Sequence, residues 1–317
     1  LMFALDGTGK PRRRNWRERK NLITGLLFVS PWLIGFLWLT LYPMLSSLYY
    51  SFTDYNLIQV PTWVGIQNYR EMADDHLFKI SLKNSFLMTI MAVPLTTLLC
   101  LSLALLLNHQ IRLRSFFRSI FFLPSVVPMV AAAVCWMWYL NPQYGPLNKF
   151  LALLGIDGPN WLRDVHWAKP ALVMTILWVS GPTTVIYLAA LQGVPSHLLE
   201  SAELDGAGWF RRFWHVTLPA ISPALLFNVI AGLIDSFQIF TQPYIMTVNP
   251  QNPLPGGPAN ATLVYAINLY NNAFKYFKMG YASALAWVMF VIIFICTALV
   301  FFTSARWVYY ESEGGEG

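Results

Sequence analysis

Residues 194–219 read VPSHLLESAELDGAGWFRRFWHVTLP and lie between two long apolar stretches. We call this segment the inner loop. It holds too many polar and charged residues to cross a membrane, so we expect it to lie in water. Ser196 is a good N-cap for a first short helix, and Gly206 ends that helix. A second helix begins near Trp209 and stops before Pro219, which has no backbone N–H to donate. The sequence therefore predicts two short helices joined at a glycine hinge.

The inner loop places small residues beside acidic and large apolar ones. The small residues are Ser201, Ala202, Gly206 and Ala207. Two short helices of this composition suit insertion into the cleft of a partner protein. They suit a lipid surface less well, because a helix lying on lipid has lysines beside its apolar face. An ordinary solvated connector is the alternative, and these residues alone do not decide between the two.

The remainder of the chain is apolar enough to require lipid as its solvent. Hydrophobic residues make up 56% of the 317 residues and charged residues 11%, whereas a soluble domain carries about 25% charged residues. A helix needs about 20 apolar residues to cross the hydrocarbon core. Six stretches meet this length: 22–41, 86–107, 121–140, 171–191, 224–246 and 282–302. We therefore expect an all-α membrane protein with six transmembrane helices, its membrane domain spanning residues 21–305.

Basic residues beside the apolar stretches predict the orientation. The N-terminal tail, residues 1–20, is rich in them: Lys10, Arg12, Arg13, Arg14, Arg17, Arg19 and Lys20. By the positive-inside rule this tail lies in the cytoplasm. Six spans return the C-terminal tail, residues 306–317, to the same side. The inner loop then also faces the cytoplasm, as do the basic residues Arg112, Arg114, Arg118, Arg211 and Arg212.

The sequence lacks the motifs of catalysis, metal binding and nucleic-acid binding. Its three cysteines, Cys100, Cys135 and Cys296, lie singly in apolar stretches without the C-x-x-C spacing of a zinc site. Residues 7–11, GTGKP, lack the glycine spacing and the Ser or Thr of a P-loop. The net charge of +6 comes from residues that flank the spans rather than from an aromatic-interleaved patch. We expect no cofactor or metal in this chain, no nucleic acid as partner, and an energy source elsewhere.

Asp235 stands out as an ionisable residue within the spans. A carboxylate at membrane depth is costly unless it faces a cavity or a partner group, which points to a transport pathway. Gly232, Ser236 and Ile239 share the helix face that Asp235 borders. The fourth stretch offers a second wall, on which an indole can stack against a sugar and hydroxyls can bond to it: Trp178, Ser180, Thr183 and Tyr187. The alternatives are interhelical hydrogen bonding by Asp235 and lipid-belt packing by Trp178.

The inner loop resembles the EAA loop of permease subunits of bacterial ABC importers. The resemblance rests on Glu200-x-Ala202-x-x-Asp205-Gly206-Ala207, followed by Phe213, Leu218-Pro219 and Pro223. Further motifs in the same order resemble the carbohydrate branch of that family, which includes the maltose transporter permease. They are Gly65-x-x-Asn68-Tyr69, Phe122-Leu123-Pro124 with Pro128, Gly145-x-x-Asn148, Trp178, Leu188-Ala189-Ala190-Leu191-Gln192 with Pro195, Thr247, Gly256-Gly257-Pro258 and Gly280-Tyr281-Ala282-Ser283-Ala284. The resemblance covers about residues 20–305. Ser201 departs from the motif's first alanine, and Val248–Pro255 inserts residues into an outer loop.

This resemblance implies the six-helix core of the type I ABC importer permease fold and a coupling role for the inner loop. The loop would dock in a groove of a cytoplasmic ATP-binding subunit, with Glu200 touching that subunit and Gly206 permitting the turn. The implied coupling residues are Glu200, Ser201, Ala202, Asp205, Gly206 and Ala207. The family's register of sugar contacts points again to Gly232, Ser236 and Ile239.

The function implied is import of a sugar, in the first instance an oligosaccharide, across the plasma (inner) membrane of a prokaryote. The implied partners are a second homologous permease, two copies of the ATP-binding subunit that holds ATP and Mg, and an extracytoplasmic sugar-binding protein. One alternative is a permease for another polar solute such as a glycerol phosphate ester, but an anionic solute should favour basic residues in the spans. A self-contained secondary transporter that uses Asp235 as an ion relay leaves the glycine-hinged inner loop unexplained.

Overall fold

The computed structural model describes residues 16–109, 113–248 and 255–309. Arg112 lies outside these residues, as do most of the predicted basic tail, most of the predicted outer insertion and most of the predicted C-terminal tail. Within them the prediction of an all-α protein is confirmed. The helices are α1 (Trp16–Phe36), α2 (Tyr42–Tyr50), α3 (Gln67–Asp74), α4 (His76–Asn108), α5 (Arg114–Phe122), α6 (Met129–Tyr139), α7 (Pro146–Leu153), α8 (Ala168–Trp178), α9 (Gly181–Gln192), α10 (Ser196–Leu204), α11 (Trp209–Arg212), α12 (Leu218–Ala220), α13 (Ser222–Phe237), α14 (Thr241–Thr247), α15 (Tyr265–Tyr270) and α16 (Met279–Ser304).

Short turns of other helix types and one two-stranded ribbon join these helices. Strand β1 (Thr53–Asp54) pairs antiparallel with β2 (Thr62–Trp63). The 3₁₀ turns are Leu123–Val126 and Pro258–Asn260, and the π turns are Leu37–Leu41, Phe213–Thr217 and Asn271–Lys275.

Six helical segments are candidates to cross the membrane. Four are long and apolar enough alone: Ile23–Tyr50, His76–Asn108, Ser222–Thr247 and Met279–Ser304. Two more arise if each bent helix pair counts as one span: Arg114–Val126 with Met129–Tyr139, and Ala168–Trp178 with Gly181–Gln192. We number them spans 1 to 6 in chain order. The six predicted stretches overlap them in the same order.

Span 1 is longer than the predicted stretch 22–41, because it continues to Tyr50. Pro43 lies in its path and has no N–H to donate. The π turn at Leu37–Leu41 directly precedes that proline and shifts the hydrogen-bond register, and Pro43 then lies in the first turn of α2. The proline is thereby accommodated without ending the helix.

Spans 3 and 4 are broken, whereas the stretches 121–140 and 171–191 were each predicted as one transmembrane helix. Span 3 bends by 99°, where Pro128 forces Val127 into an extended conformation with ψ of 128°. Span 4 bends by 52° between Trp178 and Gly181. Pro182 lies in the first turn of α9, the position that proline tolerates, so a new helix starts there.

Gly181, which directly follows the break in span 4, contacts the end of α5 in span 3. A Cβ atom built on Gly181 would overlap the backbone carbonyl oxygen of Phe121 and lie 2.9 Å from the Cα atom of Phe122. The inner half of span 3 and the inner half of span 4 therefore pack backbone to backbone. A residue larger than glycine would push them apart.

Helix α4 lies at the centre of the packing. Its inner part contributes Cys100 and Leu107 to a buried cluster with Leu188 of α9 and Ile221. Its outer part contributes Met88 to a second cluster that joins α6, α8, α14 and α15. Span 1, in contrast, buries none of its apolar window against this chain. Its side chains are left for lipid or for another subunit.

Asparagine side chains tie the outer loops to the spans. Asn68 donates to the carbonyl oxygens of Ser51 and Thr53, both at 2.9 Å. Asn84 of α4 donates to the carbonyl oxygens of Asn260 (2.8 Å) and Leu263 (2.9 Å). Each amide satisfies backbone groups that have no helical partner. The asparagine of the Gly65-x-x-Asn68 motif thus has a structural role.

We predict that Gly181→Ala destabilises the protein by about 1–3 kcal/mol, because the new methyl group meets backbone atoms rather than a flexible side chain. Thermal unfolding of the detergent-purified protein measures the effect. Gly35→Ala is the matched control, since Gly35 is also a helical glycine of a span and a Cβ there meets nothing within 4 Å. Equal melting temperatures for the two variants would contradict the close packing of the two breaks.

Candidate functional site

Gly206 ends the first helix of the inner loop in a left-handed turn, with φ of +76°. The Ala207 N–H donates to the Ala202 carbonyl at 2.9 Å, and the Gly206 N–H donates to the Glu203 carbonyl at 3.0 Å. These two bonds form a Schellman motif, in which the left-handed residue is usually glycine. A residue with a side chain would cost about 1–2 kcal/mol at this position. The hinge predicted at Gly206 is therefore a specific backbone turn, and it brings Ala202 and Ala207 together.

Two details of the inner loop differ from the prediction. Ser196 makes no capping hydrogen bond, because it is the first helical residue and Pro195 occupies the cap position. The second helix does not stop before Pro219 but continues to Ala220. As in span 1, a π turn, here Phe213–Thr217, precedes the proline and lets the helix pass it.

An ion pair joins the two helices of the inner loop. The Arg212 guanidinium on the second helix donates to the Glu203 carboxylate on the first. Such exposed pairs contribute at most about 1 kcal/mol. Together with the Schellman turn, however, the pair holds the two helices in one relative orientation. The inner loop is thus a defined element rather than a loose connector.

The inner loop exposes a large apolar surface to solvent. Leu204 is 90% exposed and Phe210 is 67% exposed, with Trp209 and Trp214 beside them. Exposed apolar patches on this scale mark surfaces that bind another molecule. Glu200 is also exposed, and among the described residues no hydrogen bond or ion pair engages its carboxylate. This surface has the chemistry of a protein contact.

A central cavity of about 470 Å³ lies between the helices, at the level of the two breaks. Of the residues expected along the pathway, six line it: Ser180, Thr183, Gly232, Asp235, Ser236 and Ile239. The lining also includes residues that the sequence reasoning did not select: Thr96, Thr97, Asn228, Gln238, Thr241 and Gln242. The Thr96-Thr97 pair interrupts an apolar span, and this polar interruption could have been recognised in the sequence as a candidate cavity position. The others become neighbours only through the packing of distant helices.

Hydroxyl and amide side chains line the central cavity among apolar ones, together with a single carboxylate. Asp235 is exposed to the cavity and is the one lining residue of the described chain with an acidic or basic side chain. None of the hydrogen bonds or ion pairs found among the described residues uses the Asp235 carboxylate. The Ser236 hydroxyl is buried and has no partner in the described structure. Both groups are available to a ligand with hydroxyl groups.

Trp178 and Tyr187 do not line the central cavity, contrary to expectation. The backbone breaks directly after Trp178, and its ring packs edge-on against Trp136 at 6.1 Å between centroids. Tyr187 is fully buried in the cluster around Cys100. Trp178 therefore belongs to the packing of α8 on α6, and Tyr187 belongs to the core.

Helix α9 connects the central cavity to the inner loop. It begins at Gly181, beside the cavity residues Ser180 and Thr183, and its 12 residues end at Gln192. At 1.5 Å per residue this helix is about 18 Å long. Three residues after it, α10 begins. The inner loop is therefore linked to the cavity wall through one helix.

Comparisons with known proteins cover nearly the whole chain. Residues 97–309 match the family described as "Binding-protein-dependent transport system inner membrane component". The "Probable ABC transporter permease protein YesP" of Bacillus subtilis (strain 168) is 38% identical over 98% of this chain and 99% of that protein. The "Sulfoquinovosyl glycerol transport system permease protein SmoG" of Agrobacterium fabrum is 32% identical over 94% and 96%. The "Lactose transport system permease protein LacF" of Rhizobium radiobacter is 31% identical over 92% and 97%.

A solved structure shares the fold. It is described as the "crystal structure of a bacterial ABC transporter involved in the import of the acidic polysaccharide alginate". The TM-score is 0.80 with 22% identity, over 93% of this chain and 99% of the matched chain. The six-span arrangement is therefore the fold of an ABC importer permease.

We predict that a cysteine at Asp235 reacts with a water-soluble thiol reagent, because this position is exposed to the central cavity. The variant is made in a background in which Cys100, Cys135 and Cys296 are replaced. Leu226→Cys is the matched control, since Leu226 lies on the same helix, is 4% exposed and is absent from the lining. Mass spectrometry of the labelled protein measures the reaction. Equal labelling of the two positions would contradict the assigned cavity.

Proposed function

We propose a function for this chain from one premise: the chain belongs to the family of binding-protein-dependent transport system inner membrane components. It is a multi-pass transport subunit of the inner membrane and not an enzyme, and the ATPase of such an importer is a separate subunit. We propose that it imports a neutral sugar. The observation that carries this proposal is a cavity lined by hydroxyl and amide side chains and one carboxylate, joined by a single helix to the exposed apolar surface of the inner loop.

The lining of the central cavity supports a sugar as the solute. Threonine and serine hydroxyls and amide groups surround it on several helices. Sugars are recognised by such groups, because each hydroxyl can donate and accept a hydrogen bond. Two relatives carry transport names that specify a sugar compound, lactose in one case and sulfoquinovosyl glycerol in the other.

The charge of the cavity favours a neutral sugar over an anionic one. No lysine, arginine or histidine is among the lining residues of the described chain. An anionic sugar would be repelled by the Asp235 carboxylate, and the described lining offers no cation to compensate. The same argument disfavours a glycerol phosphate ester. The oligosaccharide expected from the sequence fits this chemistry, and its length is set by the second half of the pore as well.

The inner loop is the proposed point of coupling to ATP hydrolysis. We place it in the cytoplasm, with both chain termini, against a groove of an ATP-binding subunit that holds ATP and Mg. Its exposed apolar side chains supply the contact surface and Glu200 supplies a free carboxylate. Ser201, Ala202, Asp205, Gly206 and Ala207 shape the turn that presents them. Closure of two ATP-binding subunits then moves the loop, and α9 carries that movement to the cavity.

The remaining partners follow from the same proposal. An extracytoplasmic binding protein delivers the sugar to the outer side, and a second homologous permease completes the pore. The central cavity is open in this chain alone, which is consistent with a missing half. ATP-driven movement of the inner loop alternates access to the cavity between the two sides. The experiment that tests this function is uptake by the complete assembly in proteoliposomes, which requires both ATP and the binding protein.

We predict that Gly206→Pro reduces sugar uptake by about tenfold or more while the protein stays in the membrane. Proline is fixed near φ of about −65° and has no N–H, so the turn at Gly206 cannot form. Glu200→Ala has the same direction of effect, because it removes a contact to the ATP-binding subunit. Uptake and ATP hydrolysis are measured on the same proteoliposomes. Ser196→Ala, on the exposed start of α10, is the control. Normal uptake by Gly206→Pro and Glu200→Ala would refute the coupling role.

We predict that Asp235→Asn weakens the apparent affinity for a neutral sugar by about 10- to 100-fold, since a hydrogen bond to a charged group contributes about 1.5–3 kcal/mol. It also reduces the discrimination against anionic sugars. Transport of lactose and of anionic sulfoquinovosyl glycerol is compared in the same assembly. Thr175→Val is the control, because Thr175 is buried in the same protein, outside the cavity, and bonds to its own helix. A preference of the unmodified assembly for the anionic compound would contradict the neutral-sugar proposal.

A further inference from the structure

The ribbon that follows span 1 exposes apolar side chains at its turn. We call residues 55–63 the ribbon tip. Ile58 is 88% exposed and Val60 is 82% exposed, and Leu57 and Trp63 are exposed as well. A soluble surface seldom concentrates exposed aliphatic and aromatic residues in so short a segment. The tip therefore has a surface that water does not favour.

The ribbon tip carries no formal charge. No Asp, Glu, Lys, Arg or His occurs between Asp54 and Arg70. Its turn is stabilised internally, because the Asn56 side-chain oxygen accepts hydrogen bonds from the N–H groups of Ile58 (3.2 Å) and Gln59 (2.9 Å). The polar groups of the turn are thus partly satisfied within it, and the apolar side chains project outward.

The base of the ribbon lies at the outer surface of the membrane domain. Span 1 ends at Tyr50, three residues before β1. Span 6 begins at Met279, and its Gly280 N–H donates to the Tyr55 carbonyl at 3.0 Å. A Cβ atom on Gly280 would overlap the Thr53 carbonyl oxygen, so the ribbon rests directly on the start of α16. The ends of two spans therefore fix the height of the ribbon.

That height is within reach of the lipid headgroups. The bilayer extends about 5–8 Å beyond the hydrocarbon core on each side, and a strand advances about 3.3 Å per residue. Ile58 lies only five residues beyond Thr53, so the tip lies in this layer when the ribbon runs along the membrane surface. Trp63 packs against Tyr49 of span 1 at 5.9 Å and against Phe52 at 5.6 Å. The aromatic surface of the span is thus continuous with the ribbon, at the depth where tryptophan and tyrosine are enriched.

We propose that the ribbon tip inserts into the headgroup layer of the outer leaflet and anchors the outer end of span 1. The occupant of this surface is phospholipid. An uncharged apolar tip, continuous with the unburied surface of span 1, matches the hydrocarbon boundary. A binding site for a transient protein partner would be more polar than this tip, because non-obligate interfaces are about as polar as the rest of a protein surface.

The test is the depth of a fluorescent label at Ile58→Cys, in the cysteine-replaced background and in the complete assembly. The label is the nitrobenzoxadiazole group, and the assembly is placed in nanodiscs of palmitoyl-oleoyl phosphatidylcholine. Lipid with a nitroxide on its headgroup should quench the label, and iodide in water should not. Asp157→Cys, on an exposed outer loop between spans 3 and 4, is the control and should show the reverse pattern.

Two outcomes would overturn the proposal. In the first, the Ile58→Cys label shows the same pattern as the Asp157→Cys label: iodide quenches it and nitroxide lipid does not. The tip then lies in water. In the second, the label is shielded from iodide only after the binding protein is added, so that the tip is a protein contact. In both outcomes the nitroxide lipid fails to quench the Ile58→Cys label, and this failure decides against lipid as the occupant. The readout is independent of the transported solute and of the proposed function.

Discussion

The close contact between two broken spans is the constraint on which the rest of this structure depends. Gly181 allows the start of α9 to meet the backbone at Phe121, in the inner half of span 3. Both breaks then lie at the level of the central cavity, since Met129, which directly follows one break, and Ser180, which lies in the other, both line it. The inner halves of the two spans form one packed unit that ends in the inner loop. Polar groups at the cavity and the exposed apolar surface of the inner loop are therefore parts of one packed helical unit.

Much of this fold follows from the sequence, because its signals are local. Apolar length predicts where each span lies, and Gly206 predicts the turn of the inner loop, since only a glycine adopts φ of +76° at little cost. The bends at Pro128 and Pro182 also have local causes. The angles of the two bends and the contact between spans 3 and 4 have no local cause, because they depend on residues far apart in the chain. The continuation of helices past Pro43 and Pro219 depends on π turns, which no single residue type specifies.

The candidate site was predictable along one helix and not between helices. The face of α13 that carries Gly232, Asp235 and Ser236 follows from helical periodicity. Thr241 and Gln242 lie on a separate short helix, and Gln242 joins the cavity through a contact of its side-chain nitrogen with the Met129 sulfur at 2.9 Å. Trp178 was predicted to lie on the cavity wall with Ser180 and Thr183, but the helix breaks directly after it. The break there turns its ring toward Trp136 instead.

The central claim is that this chain is half of a pore and that a separate ATPase drives it through the inner loop. The most direct measurement is affinity purification of the tagged chain from its native membrane in mild detergent, followed by quantitative mass spectrometry. We predict recovery of a second six-span permease at equal abundance and of a P-loop ATPase at twice that abundance. We also predict that Gly206→Pro lowers the recovery of the ATPase but not of the second permease. Recovery of this chain alone, in a form that transports sugar without ATP after reconstitution, would contradict the account.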